Sequence, residues 1–311
     1  MVATVNWQRG AARVEEADDL QAVIDAGGLD YRVEQVPLVT DDAAEMRISD
    51  RVANVRVEPD GERRVLGVVS RRGYEVVPNT DALKSFDQLV QQAGARYTQA
   101  GTIDYGRVAY VFAELPEPVE IIPGDPVQRS LMFTNSFDGS TPLGFVAAPV
   151  RLWCTNQVAM ARRRGYGFTI RHNANAMDRA REAAKVLGQL NNAFDRITDR
   201  MKIMASMQVD GNRLKQYFES ILPTPEEEGP RERVKARHDR WTERFETGIG
   251  NTGPNTRTLY HAFNAITEDV DHRHLSRRVK DPVWYATFGG GGQLKQRAWA
   301  EAERVIGVTR N

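Results

Sequence analysis

The residues best suited to chemistry lie in a basic and aromatic segment near the middle of the chain. Its members, here called the basic segment, are Arg162, Arg163, Arg164, Tyr166, Phe168, Arg171 and His172. Guanidinium groups neutralise phosphates, and exposed rings stack on unpaired bases. The segment therefore predicts a surface for a single-stranded nucleic acid, with Arg151 as a further phosphate contact. The alternative is a solvated basic turn whose Tyr166 and Phe168 belong to the hydrophobic core.

A second basic and aromatic group lies in the first third of the chain, at Arg71, Arg72 and Tyr74. It repeats the combination of adjacent guanidinium groups with a nearby ring. We therefore predict that these three residues provide additional contacts to nucleic acid.

A glycine run near the end of the chain predicts a possible phosphate site. The run and the cations that follow it include Gly290, Gly291, Gly292, Lys295 and Arg297. Backbone N–H groups at the start of a helix can bind an anion, and the two cations would add positive charge. A flexible hinge is the alternative, and the run does not have the P-loop spacing.

Catalytic and metal-binding patterns are missing from the sequence. It contains no nucleophile elbow, zincin helix, dinucleotide glycine fingerprint or kinase motif. His272 and His274 beside Asp271 could hold a metal, but residues two apart on a helix point to different faces, so we interpret them as charged surface. We expect a non-enzymatic protein without cofactor or metal, although a scattered catalytic site stays open.

The composition is that of a globular protein. The chain has 311 residues, of which 41% are hydrophobic, and its single cysteine, Cys154, excludes a disulfide framework within one chain. It has no apolar run of about 18 residues and no secretory signal pattern at its start. We therefore expect a cytoplasmic protein that does not bind membranes.

Charge is unevenly distributed although the formal net charge is zero. Residues 1–150 contain 14 basic and 23 acidic residues, a net charge of −9, whereas residues 151–311 contain 28 and 19, a net charge of +9. This asymmetry favours either a second half that binds a polyanion or charge complementarity between subunits. Chance is the remaining alternative.

The local patterns predict an α+β fold. Alternating apolar runs separated by turn residues predict a series of strand hairpins, and apolar residues at helical spacing from Leu83 to Ala93 predict one helix among them. We expect an antiparallel sheet of hairpins with this helix packed on one face. The expected organisation is a loose arm with a short helix over residues 1–28, a hairpin-rich core over 29–172 and a helical region over 173–311.

The helical region opens with a heptad pattern. Apolar residues at alternating spacings of four and three are Ala183, Leu187, Leu190, Phe194, Ile197, Met201 and Met204. They predict one long helix over residues 173–208, whose apolar seam must be covered. Another helix of the same chain, from residues 213–222 or 230–246, could cover it, and a neighbouring subunit is the alternative.

Several blocks of the sequence resemble a known family. They are LGVV at residues 66–69, YEVVPN at 74–79, LMFTNSFDGS at 131–140, APVRLWCTN at 148–156, YHAFNAITE at 260–268 and LKQRA at 294–298. Together the blocks resemble a phage- and plasmid-borne family catalogued only as a domain of unknown function, over roughly residues 28–306. The resemblance does not by itself imply an activity.

A more distant similarity gives a functional expectation. The occurrence of that family on mobile elements, and hairpins packed against a helix, are similar to the single-strand annealing recombinases of the RecT and Red beta kind. This similarity implies an oligomeric ring or filament that holds single-stranded DNA in a basic groove without cofactor turnover. A protein-interaction or host-countering factor and an unrecognised nucleic-acid-processing enzyme are the alternatives.

Overall fold

The computed structural model describes residues 11–14, 19–151, 167–183, 187–248, 251, 256–272, 285–286 and 289–307. Within these ranges the fold is α+β, with antiparallel sheets and with most helices in the second half, as the sequence predicts. No helix in these ranges has the length and apolar character needed to cross a lipid bilayer.

The larger sheet has seven strands among the described residues. They are β1 (Ala11–Arg13), β5 (Arg96–Ile103), β6 (Val108–Glu114), β7 (Val119–Ile122), β8 (Asp125–Ser136), β9 (Leu143–Arg151) and β10 (Gly167–Ile170). The strand order is β1-β5-β6-β8-β9-β10. Strand β7 lies off this path and pairs with the first residues of β8. Every pairing is antiparallel, and β10 lies at one edge, where it pairs with β9.

Three strands form a separate small sheet, which corrects the expectation of a single sheet. They are β2 (Arg32–Val39), β3 (Arg47–Val57) and β4 (Arg63–Ser70), paired in that order. One face of this sheet packs on the turn between β8 and β9. The Asn54 side chain donates to the Phe137 carbonyl at 2.6 Å. A Cβ atom at Gly67 would lie 2.5 Å from the Asp138 Cβ, so only glycine permits this approach.

Two helices belong to the first half. Helix α1 (Leu20–Gly27) is capped by Asp19, whose side chain accepts the Ala22 N–H. Helix α2 (Asn79–Gln92) confirms the helix predicted from its apolar spacing. Its Phe86 ring lies 5.8 Å from the rings of Phe133 and Phe145, on β8 and β9. Helix α2 is therefore held on one face of the larger sheet by aromatic packing.

Six helices follow in the second half of the described chain. They are α3 (Ala176–Ala183), α4 (Leu187–Ser206), α5 (Gly211–Ile221), α6 (Glu228–Thr247), α7 (Leu259–His272) and α8 (Gly290–Val305). Helix α7 is central, because every residue from 259 to 271 is buried. Its Asp269 accepts hydrogen bonds from Arg237, Arg240 and Trp241 of α6. This buried carboxylate binds α6 to α7.

The heptad seam is buried within one chain. Its members Leu190, Phe194, Ile197, Met201 and Met204 are each at most 1% exposed. Helix α4 packs against α7 and against β7, β9 and β10, so a strand layer and a helix cover it. Helices α5 and α6 form where they were predicted and pack mainly on α8 and α7. The predicted continuity of α3 with α4 crosses residues 184–186, outside the described part.

Candidate nucleic-acid interface

The structure brings two predicted contact groups together. The turn after β4 carries Arg71, Arg72 and Tyr74, and the end of β10 leads into Arg171 and His172. The backbone N–H of Glu75 donates to the His172 carbonyl at 3.0 Å. The Tyr74 ring stacks on the His172 ring, with 4.8 Å between centroids and 12° between planes. Residues about a hundred positions apart in sequence therefore share one surface.

The arginines of this surface form no ion pair with the acidic side chains that the structure describes. Arg71, Arg72 and Arg171 are exposed, and none pairs with an acidic side chain among the residues that the structure describes. By contrast, Arg63 pairs with Glu34 at 3.0 Å. An unpaired guanidinium group can bind a phosphate without first losing an intramolecular partner. We call Arg71, Arg72 and Arg171 the arginine surface.

A network of buried polar groups supports the arginine surface. The Asn135 amide donates to the Val77 carbonyl at 2.9 Å and to Asn79 Oδ1 at 2.8 Å. Asn135 Oδ1 lies 2.6 Å from His172 Nε2, and the Tyr74 hydroxyl donates to the Ser136 carbonyl at 2.5 Å. The turn, strand β8 and the end of β10 are thus joined by hydrogen bonds away from solvent, where such bonds are strongest.

His172 stabilises this arrangement through its contacts and carries no positive charge at neutral pH. The residue is 5% exposed, and burial lowers the pKa of its imidazole to about 4. The ring is therefore neutral at pH 7 and has no charge for a phosphate. This placement does not support its predicted role as a direct contact.

The buried imidazole predicts a pH dependence of stability. In the unfolded chain the pKa of His172 returns to 6.5, above the folded value of about 4, so the unfolded state takes up the proton first. This contribution to stability is complete above pH 6.5 and is lost as the pH falls toward 4. Between pH 7 and pH 5 we expect a loss of about 2 kcal/mol in the free energy of unfolding. Urea titrations of the wild type and of His172→Gln measure the difference, and parallel pH profiles would contradict it.

Phe168 is not a freely exposed ring of the kind that stacks on a base. It lies in β10, is partly buried and packs against the main hydrophobic core. Its neighbour Gly167 approaches β9 so closely that a Cβ atom would lie 2.6 Å from the Phe145 carbonyl oxygen. These contacts favour the interpretation of Phe168 as a core residue.

The remaining members of the basic segment lie outside the described residues. These are Arg162, Arg163, Arg164 and Tyr166. Arg151 ends β9, where its backbone pairs with Val127, and its side chain is not among those described. Their predicted role in binding therefore stays a prediction.

The glycine run opens a helix, as the sequence predicts, but its surroundings indicate packing. Gly290, Gly291 and Gly292 begin α8, and a Cβ atom at Gly291 would lie 2.7 Å from Val270 Cγ1 and 2.8 Å from the Tyr285 ring. Lys295 is fully buried and donates to Asp271 Oδ1 at 2.5 Å. Its charge is thus neutralised inside the protein, whereas Arg297 is exposed. This placement favours a close helix contact over a phosphate site.

Sequence reasoning missed Asn79 and Asn135 as members of the site. Both are buried, and Asn135 is fully inaccessible inside β8. The available signal was weak, because Asn135 follows the apolar run of residues 131–133 between two other polar residues, Thr134 and Ser136. Among the described residues there is no group of three or more side chains suited to hold a metal ion. His274 lies outside this part, as does the His272 side chain.

Fold and site together define an α+β protein that presents exposed arginines beside a buried asparagine and histidine network. The chain belongs to the family described as Domain of unknown function (DUF932), whose sequence model matches residues 65–286. This confirms the resemblance to a family of unknown function, and the matched span contains the whole arginine surface. Comparison with curated proteins and with solved structures finds no match.

Proposed function

We propose that this protein binds and anneals single-stranded DNA for a phage or plasmid, without catalysis, as an oligomer in the cytoplasm of a bacterial host. The observation that carries the proposal is the arginine surface. Three exposed arginines lie on two segments that contact each other, and none of the three forms an ion pair with an acidic side chain among the described residues. Exposed basic side chains grouped on one surface are typical of sites that bind the nucleic-acid backbone.

The geometry of β10 supports an extended ligand. Tyr166 directly precedes this strand of four residues and Arg171 directly follows it. At about 3.3 Å per residue, the four residues of β10 span roughly 13 Å. A single strand that runs along β10 would meet the positive charge of Arg171 at the end of the strand. The partly exposed Tyr74 beside Arg171 adds a ring on which a base could stack.

One observation favours a second class of function. The small sheet exposes Val39, Val65 and Val68, and Met46 directly precedes β3; each of these side chains is at least 48% accessible. Exposed apolar side chains on one sheet are typical of protein contacts. The alternative is therefore a protein-interaction or host-countering factor that does not bind nucleic acid.

A mobility-shift assay with a labelled single-stranded oligonucleotide separates the two classes. We expect binding that weakens steeply as salt is raised, and faster pairing when a complementary strand is added. Absence of binding at low salt would contradict the proposal and favour the protein-interaction factor. Metal-dependent cleavage of the same oligonucleotide would identify a nucleic-acid-processing enzyme.

A first prediction concerns Arg162, Arg163 and Arg164. Replacing all three with glutamate is expected to weaken single-strand binding with little change in thermal stability. The slope of log affinity against log salt should become shallower by about two units, because about three phosphate contacts are lost. Unchanged affinity at low salt would remove these residues from the binding surface.

A second prediction concerns assembly. The acidic first half and the basic second half are expected to meet across a head-to-tail interface that forms a ring or a helical filament. High salt should weaken this contact and reduce the particle mass. Light scattering that gives a monomer at low and high salt, with and without DNA, would contradict it.

A further inference from the structure

His172 contacts both halves of the arginine surface. Its carbonyl oxygen accepts the Glu75 N–H, its ring stacks on Tyr74, and its Nε2 atom lies 2.6 Å from Asn135 Oδ1. In sequence it directly follows Arg171. One buried residue therefore connects the turn that carries Arg71 and Arg72 with the segment that carries the third arginine.

The network assigns the proton on the His172 ring. Both donor bonds of the Asn135 amide nitrogen are used, to the Val77 carbonyl and to Asn79 Oδ1, so its oxygen faces His172 as an acceptor. His172 Nε2 must then carry the proton and donate to it. Asn79 in turn donates to the Leu29 carbonyl at 3.1 Å. Because each amide has its partners, the ring has one orientation, and the stacked Tyr74 is oriented with it.

The turn is also anchored to the small sheet. The Arg71 N–H donates to the Asp50 carbonyl at 2.9 Å, the Gly73 N–H donates to Ser70 Oγ at 3.3 Å, and Gln35 Nε2 donates to the Tyr74 carbonyl at 3.4 Å. Tyr74 and Glu75 hold it to the larger sheet, through the Ser136 carbonyl and through His172. His172 therefore contributes to two of the contacts that set the turn relative to β10.

We propose that His172 is a positioning residue that holds the Arg71 and Arg72 turn at a fixed distance from Arg171, so that the three arginines bind phosphates of one DNA strand together. This inference rests on the proposed function. Holding the groups in place before the ligand arrives reduces the ordering entropy that binding costs. Arginines on an unanchored turn would still attract DNA but would not all contact it at once.

Two substitutions separate the contacts of the ring. His172→Gln keeps an N–H donor for Asn135 and removes the ring, whereas His172→Phe keeps the stacked ring and removes the donor. In both variants we expect the phosphate contacts of Arg71 and Arg72 with DNA to be lost. The slope of log affinity against log salt should become shallower by about 1.4 units, and affinity at 0.1 M salt should fall about 25-fold.

A double-mutant cycle distinguishes positioning from general stability. Arg71→Ala with Arg72→Ala should weaken binding strongly in the wild type and only slightly in the His172→Gln background. Val23→Ala is the matched control, because Val23 is fully buried in α1 and its truncation lowers stability away from the site. It should leave the salt slope unchanged when binding is measured well below its melting temperature.

The outcomes are distinct. If the wild type binds no single-stranded oligonucleotide at low salt, both the proposed function and this inference are overturned. If the wild type binds and the folded His172 variants have its salt slope and additive effects with the arginine substitutions, positioning alone is overturned. Should His172→Phe fail to fold, His172→Gln decides by the same two measurements.

Discussion

Replacing Arg71, Arg72 and Arg171 with glutamate is expected to weaken binding to a single-stranded oligonucleotide about a hundredfold or more at 0.1 M salt. Each phosphate contact with a single strand contributes about 0.7 to the slope of log affinity against log salt, so three contacts contribute about two units. The thermal midpoint should change little, because the three side chains are exposed and have no ion pair among the described residues. Fluorescence anisotropy across a salt series measures both affinity and slope.

A matched variant controls for total charge. Arg96, Arg233 and Lys235 are exposed in β5 and α6, and their replacement with glutamate changes the net charge by the same amount. Its binding should remain close to that of the wild type, apart from a small long-range effect that salt screens. Equal weakening in the two variants would mean that DNA responds to overall charge and not to the arginine surface.

The largest effect on stability is expected from Asp269→Ala. The Asp269 carboxylate is fully buried and accepts Arg237 Nε at 3.2 Å, Arg240 Nε at 3.1 Å and Trp241 Nε1 at 3.1 Å. Its removal leaves two guanidinium groups and an indole N–H without this acceptor. Breaking a buried ion pair in this way costs about 3 to 5 kcal/mol.

Urea denaturation followed by circular dichroism measures the free energy of unfolding of this variant. The control is Asp239→Ala, because Asp239 lies on α6 but is exposed, and its loss should cost less than about 0.5 kcal/mol. Equal denaturation midpoints for Asp269→Ala and the wild type would show that α6 does not depend on this carboxylate.

Local sequence patterns were sufficient to predict those helices and hairpins whose conformation is determined by their own residues. The apolar spacing from Leu83 to Ala93 predicts α2, and alternating apolar runs on either side of a turn predict the hairpin of β3 and β4. Which hairpins join into one sheet was not predictable, because it depends on contacts distant in sequence. Two contacts hold the small sheet against the turn between β8 and β9. They join Asn54 to Phe137 and Gly67 to Asp138. The sequence around Asn54 or Gly67 does not predict which residue each of them contacts.

The candidate site shows the same limit. Composition alone indicated the arginines, because adjacent guanidinium groups beside a ring are visible in the sequence. That the Arg71 turn meets Arg171 depends on the stack of Tyr74 on His172. The placements of His172 and Lys295 do not support their predicted roles as contacts, because a buried side chain is not available to an external ligand. Lys295 pairs with Asp271 inside the protein, and no spacing rule predicts that pair.

The position of α4 on the larger sheet affects how the protein can be dissected. Phe194 and Ile197 of this helix belong to the same hydrophobic core as Ile121, Phe133 and Phe145 of the strands. A fragment that stopped after β10 would expose these strands to water, and such surfaces aggregate. Deletion mapping would therefore report loss of solubility in place of loss of a binding site. Point substitutions in the full chain are the appropriate way to locate the activity.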